Sequence, residues 1–243
     1  MVESAMAGSA LLQSASQWEP GFTLAAYSFA LKYYQSKKAF AVPRDIDPAL
    51  WKALKRQWPR LEREPQNRPA GAQTLSLENR WMYPAIGKSY RFVGFTLSTA
   101  KGPNEAADSY QTRILEARLT GRQWRFLALP TDPLPREAEL LIYKQWIKSG
   151  ELLLVNDSEG LVAKLRSLGI NARPFAMQSQ KQGFLYVEIF NTWWTDPKNA
   201  YARVHRMSHP PGNDVSYELY GSVRLSRKAG RWILTDLGDW QGE

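Results

Sequence analysis

Between Glu151 and Phe190 the hydrophobic pattern changes period three times, and this limits what the chain can fold into more than any other feature. The stretch ELLLVNDSEGLVAKLRSLGINARPFAMQSQKQGFLYVEIF opens on a short apolar run, Leu152–Val155. Leu161, Leu165 and Leu168 then recur at helical spacing as an inward face, with Asp157 or Ser158 as cap and Gly169 as stop. Two runs near Ala172–Met177 and Phe184–Phe190 read as strands. The order β-α-β-β describes half of a small ferredoxin-like sandwich, a scaffold whose open sheet face often binds extended polymers. It points to an architecture and a kind of ligand, not to a reaction.

Downstream, Asp196-Pro197 carries a cap-then-proline signal that predicts a short helix through Val204. After the His209-Pro210-Pro211-Gly212-Asn213 loop, Ser216–Ser226 and Trp232–Thr235 predict two strands turned around Lys228-Ala229-Gly230. Residues 151–243 thus predict a ferredoxin-like β-α-β-β-α-β domain with one additional strand. The chain as a whole is of the α+β class, this domain being preceded by a mixed helical and β-hairpin region.

That region has four parts. Residues 1–17, MVESAMAGSALLQSASQ, read as a flexible tail or signal remnant: a small-residue end at Ser14-Ala15-Ser16 suits cleavage, but Glu3 replaces the usual positive start. Residues 18–60 are helical. Phe22, Ala25, Ala26, Phe29, Ala30 and Tyr33 line one helix, and Asp47 with Pro48 starts another, with Leu50, Trp51, Leu54 and Trp58 on one face. That second helix also carries Lys52, Lys55 and Arg56 elsewhere on its surface, a pattern of basic amphipathic helices for a membrane or nucleic acid, read here as a helix that buries its aromatic face and solvates its lysines. Residues 61–73, Pro- and Gly-bearing and without periodicity, read as a linker or long loop. Residues 74–150 read as α+β: a strand over Arg91–Leu97, a hairpin around Thr120-Gly121-Arg122, and a helix over Arg136–Lys148.

Composition narrows the chemistry. The net charge of +9 points toward polyanions such as nucleic acid, anionic lipid or acidic wall polymers. With no cysteine there are no disulfides, thiolate metal sites or cysteine nucleophiles. No apolar run is long enough for a membrane-spanning helix. No nucleophile elbow, zinc-protease, P-loop or dinucleotide motif is present in a suitable context, so no catalytic residue, metal ligand or cofactor is assigned. His205 and His209, four apart before a proline pair, read as a chance pair beside a loop. Asp196, Asp236 and Asp239 read as caps or surface charges.

The aromatic residues say more. On the run Phe184–Phe190, Leu185, Val187 and Ile189 form the natural core face, which leaves Phe184 and Tyr186 on the opposite one. Trp193 and Trp194 follow at its end, their side chains pointing to opposite sides. These four rings are the candidate stacking surface for a sugar or a base, with Arg173, Lys181 and Arg203 as candidate charges.

The phrases Leu165-Arg166-Ser167-Leu168-Gly169 and Gly183-Phe184-Leu185-Tyr186-Val187 resemble bacterial SPOR (sporulation-related repeat) domains. That resemblance implies peptidoglycan glycan strands bound on the sheet face of a periplasmic or cell-envelope protein. The chain departs from the pattern in lacking a second Leu-Gly helix. The same strand, through Gly183, Phe184, Tyr186, Val187 and Phe190, also resembles the RNP1 strand of RNA-recognition motifs, which implies bases stacked on Phe184 and Tyr186; a cytoplasmic location is the alternative to the envelope. Its partner run, Leu152–Asn156, lacks the aromatic residue that such motifs place there. The expectation is therefore a soluble, non-enzymatic binding or accessory protein, with glycan first, single-stranded nucleic acid second, and a scaffold role with protein partners third.

Overall fold

The computed structural model describes residues 20–34, 40–77, 89–101, 109–148, 150–156, 160–175, 183–212 and 215–242. The protein is α+β, with two mixed sheets and four helices among the described residues, and it divides into two compact units. One contains residues 1–80 and 93–126, the other 81–92 and 127–243.

In the first unit, α1 (Pro20–Tyr33) buries Phe22, Ala26, Tyr27, Ala30 and Leu31, while Tyr33 remains half exposed. α2 (Pro48–Gln57) begins as its sequence predicts: the Asp47 carboxylate accepts from the Leu50 amide at 2.8 Å, and Pro48 occupies the first turn. Leu54 is its fully buried residue. The sheet runs β2 (Glu62–Arg63), β1 (Phe40–Val42), β3 (Gln73–Leu77), β4 (Tyr90–Thr99), β5 (Ser109–Thr120), β6 (Gln123–Ala128). The β5–β6 hairpin turns at Gly121, whose φ of 63° suits glycine. The segment 61–73, read as a linker or long loop, is a loop from 64 to 72 that is tied to the sheet at its ends. β2 pairs with β1, Glu64 donates its amide to Val42 and Gly71 donates to Ala100. Arg68 adds an ion pair to Glu64 at 2.8 Å and hydrogen bonds to Ser98.

In the second unit the sheet order is β12 (Arg231–Asp236), β11 (Tyr217–Lys228), β10 (Asn199–His209), β9 (Phe184–Asp196), β7 (Leu153–Val155), β8 (Ala172–Pro174), with β13 (Gln241–Gly242) on β11. β7 is parallel to both β8 and β9, and β9 through β12 form an antiparallel meander. α3 (Arg136–Trp146) and α4 (Leu161–Ser167) supply Ala138, Leu140, Ile142, Tyr143, Leu161, Val162 and Leu165 to the core. Leu168 is not part of that inward face: it is the C-cap of α4 and exposed, and Val162 takes the buried place. The alternative caps Asp157 and Ser158 lie outside the described residues.

The β-α-β opening of the block is present. The second helix is not, and this corrects the β-α-β-β-α-β order: residues 199–209 are strand β10, entered by a tight turn at Asp196-Pro197-Lys198. Ala200, Ala202 and Val204 face the core helices while Tyr201, Arg203 and His205 face away, a period of two that a helix would break.

Candidate functional site

Strand alternation gives the second sheet two unlike faces. Leu185, Val187 and Ile189 of β9 join Ala200, Ala202 and Val204 of β10 and Val223 and Leu225 of β11 in the core shared with α3 and α4. The opposite face carries Phe184, Tyr186 and Glu188 from β9, His205, Met207 and His209 from β10, and Glu218 and Tyr220 from β11. Register places His205 directly opposite Glu188 on one side and Tyr220 on the other.

The rings there touch in series. Phe175 lies 4.4 Å from Tyr186, Tyr186 meets His205 edge-on at 5.5 Å, and His205 stacks on Tyr220 at 4.5 Å and 6°. Phe184 stacks on His209 at 5.2 Å. Underneath, Leu152 and Leu154 of the β7 segment pack with Tyr186, Phe184 and Met207, so the rings rest on a small apolar base. A bulge beside Arg203 and Val204 turns Phe190 toward Tyr220.

Polar groups border this aromatic series. The Tyr186 hydroxyl donates to Glu188 at 2.9 Å, and Asn156 donates to the other Glu188 oxygen at 2.7 Å. Burial, reinforced by that hydrogen bond and by the charge of Glu188, pushes the Tyr186 hydroxyl well above the usual tyrosine range. It therefore stays a neutral donor. Glu188 lies 3.9 Å from Nδ1 of His205, and Glu218 lies 3.3 Å from Nε2, the latter without hydrogen-bond alignment. Because the two carboxylates meet opposite nitrogens of one ring, the three groups do not converge on a point. Among the described residues no set of three or more His, Asp or Glu side chains is placed to hold a metal ion.

The residues singled out from sequence divide sharply. Phe184 and Tyr186 lie together on this face, although Tyr186 is buried by its neighbours. Trp193 is 0% exposed, stacked on Tyr201 at 5.6 Å and edge-on to Phe92, so no ligand can reach its ring. Trp194 points to the helix side, packs on Trp232 and donates its indole N–H to the Asp132 carbonyl at 2.9 Å. Arg203 is likewise 0% exposed and donates to Ser222 at 3.2 Å and to Asp239 at 3.4 Å, a structural charge rather than an offered one. Arg173 is exposed on edge strand β8, and Lys181 lies outside the described residues.

Sequence reasoning missed His205, Tyr220, Glu188 and Glu218 as a group. The signal was the alternation of Tyr201, Arg203 and His205, hidden once residues 196–204 were read as a helix. Asp236 and Asp239 serve structure: Asp236 accepts the Trp240 indole N–H at 2.8 Å, and Asp239 accepts the Ser222 amide at 2.6 Å. Comparison with protein-family models, with curated proteins and with solved structures gives no match for this chain.

Proposed function

We propose that this is a binding protein that takes a glycan chain, with peptidoglycan strands as the leading candidate, on the face of the second sheet opposite its helices. One observation carries the reading: a run of touching rings, Phe175, Tyr186, His205 and Tyr220, bordered by Glu188, Glu218 and Asn156. Apolar ring faces beside carboxylate acceptors and an amide suit a sugar, which presents C–H faces and hydroxyls together. The resemblance to SPOR domains and a place in the cell envelope belong to this same proposal.

Single-stranded nucleic acid is the second reading, and the electrostatics of the face weigh against it. Two carboxylates beside the rings repel a phosphate backbone.

The test is retention of the full chain on purified peptidoglycan glycan strands against retention on an oligonucleotide, each at low and high salt. Glycan binding should persist as salt rises, because stacking and hydrogen bonds release no counterions. Phe175→Ala, which removes a ring 38% exposed at the outer end of the series, should weaken it about three- to tenfold. Tight, salt-sensitive oligonucleotide binding without glycan retention overturns the proposal.

A further inference from the structure

A second surface, in the first unit, has a different chemistry. Over α2 and the following β2 segment the chain places Lys52, Lys55, Arg56, Arg60 and Arg63; of the carboxylates beside them, Asp47 caps α2 and Glu64 pairs with Arg68, which leaves Glu62. All five cations are exposed. Lys52 and Arg56 are one helical turn apart on the outer side of α2, away from buried Leu54. Among the described residues neither they nor Arg60 have an acidic partner within ion-pair distance. The charge is therefore not neutralised within the unit.

The remaining two cations are held in place. The Arg63 guanidinium lies 4.9 Å above the Trp51 ring, and the Lys55 ammonium lies 5.6 Å from it while donating to the Leu61 carbonyl at 2.7 Å. With its indole occupied by these cations, Trp51 is not a free platform for a nucleic-acid base. What α2 and β2 offer outward is a concentration of positive charge, with the Trp51 ring covered by Arg63 and Lys55.

We infer that the α2–β2 face is a docking surface for an anionic phospholipid bilayer, held by headgroup phosphates rather than by insertion. Charge complementarity argues for the lipid surface, since clustered Lys and Arg on a helix gain from the negative potential of an anionic leaflet. Commitment of the apolar side of α2 to its own core argues for surface attachment over burial in the acyl region. The inference stands apart from the glycan reading, because it uses other residues in the other unit.

The experiment is co-sedimentation of the full chain with phosphatidylglycerol–phosphatidylcholine vesicles, phosphatidylcholine vesicles, and a single-stranded oligonucleotide. The chain should pellet with the anionic vesicles alone and be released as salt shortens the screening length. Lys52→Gln should reduce the vesicle partition coefficient about fivefold, and Lys52→Gln/Arg56→Gln/Arg60→Gln about a hundredfold. Among the described residues these exposed side chains have no ion-pair partner, so the triple variant should keep the wild-type melting temperature. Lys228→Gln/Arg231→Gln, an equal kind of change at the exposed β11–β12 turn, should change partition less than twofold. Equal binding by the triple variant, equal binding to neutral vesicles, or oligonucleotide binding that depends on these cations without vesicle binding would each overturn the inference.

Discussion

Ala229 is the one non-glycine residue with positive φ among the described residues, at 47°, and Gly230 beside it has φ of 78°. They form the two-residue turn between Lys228 and Arg231, the closing pair of the β11–β12 hairpin. Positive φ at both positions is the type I′ geometry, which matches strand twist and favours Asn-Gly. The turn was legible from Lys228-Ala229-Gly230, but the strain was not, since alanine carries no left-handed signal. Its Cβ costs about 1 kcal/mol in this conformation. Ala229→Asn should therefore raise the melting temperature by about 2–4 °C. Ala229→Gly should gain less, because glycine also frees the unfolded chain. Scanning calorimetry on the three proteins checks the order, and an Asn variant no more stable than wild type would refute it. Asp47 shows the same scale working in the other direction, because a cap is a local bond that one residue and its three neighbours determine.

At the scale of elements, the sequence was legible where period and punctuation agreed. α2, α3 and the β5–β6 hairpin lie close to where their caps, prolines and glycines predict. β10 shows why agreement fails. Asp-Pro opens helices as cap and first residue, and it opens tight turns equally well. Here the Asp196 carboxylate accepts the Lys198 amide at 2.8 Å and the Asn199 side chain at 2.8 and 3.1 Å, which closes the β9–β10 turn. What burial adds to its pKa is outweighed by these hydrogen bonds, so the carboxyl lies below the usual aspartate range. A depressed folded value contributes stability above the unfolded pKa of about 3.9, and that contribution is lost as pH falls through the lower folded value. Asp196→Asn keeps an acceptor for the turn but cannot titrate. The stability gap between wild type and this variant, followed by denaturant unfolding from neutral pH down to about 3, should narrow as pH falls. A gap constant across that range would show that Asp196 does not hold the turn through its charge.

At the scale of the whole molecule, neither sheet order nor the covering of faces was legible. Placing β7 between β8 and β9 depends on pairings distant in sequence, and no local period encodes them. The aromatic face was half legible: alternation along β9 separated Phe184 and Tyr186 from Leu185 and Val187, but the fate of Trp193 depended on Phe92, a hundred residues away. Burial has a further consequence shared by both units. Tyr27 in the first unit, and Tyr143 and Tyr186 in the second, all have hydroxyls held above the normal tyrosine range, burial being the leading cause in each. Their folded values are raised, so their contribution is complete below the unfolded pKa of about 10 and is lost as pH rises through the folded values. Between those limits stability should fall by up to about 1.4 kcal/mol per pH unit for each such tyrosine. Tyr143, packed between α3 and the second sheet, isolates one share of this slope. Tyr143→Phe keeps the ring and removes the ionisable group, so its alkaline stability slope should be shallower than wild type by one tyrosine. Denaturant unfolding at a series of alkaline pH values, read beside tyrosinate absorbance, measures both quantities. Identical slopes in the two proteins would mean that Tyr143 ionises in the folded state and that its burial does not resist the charge.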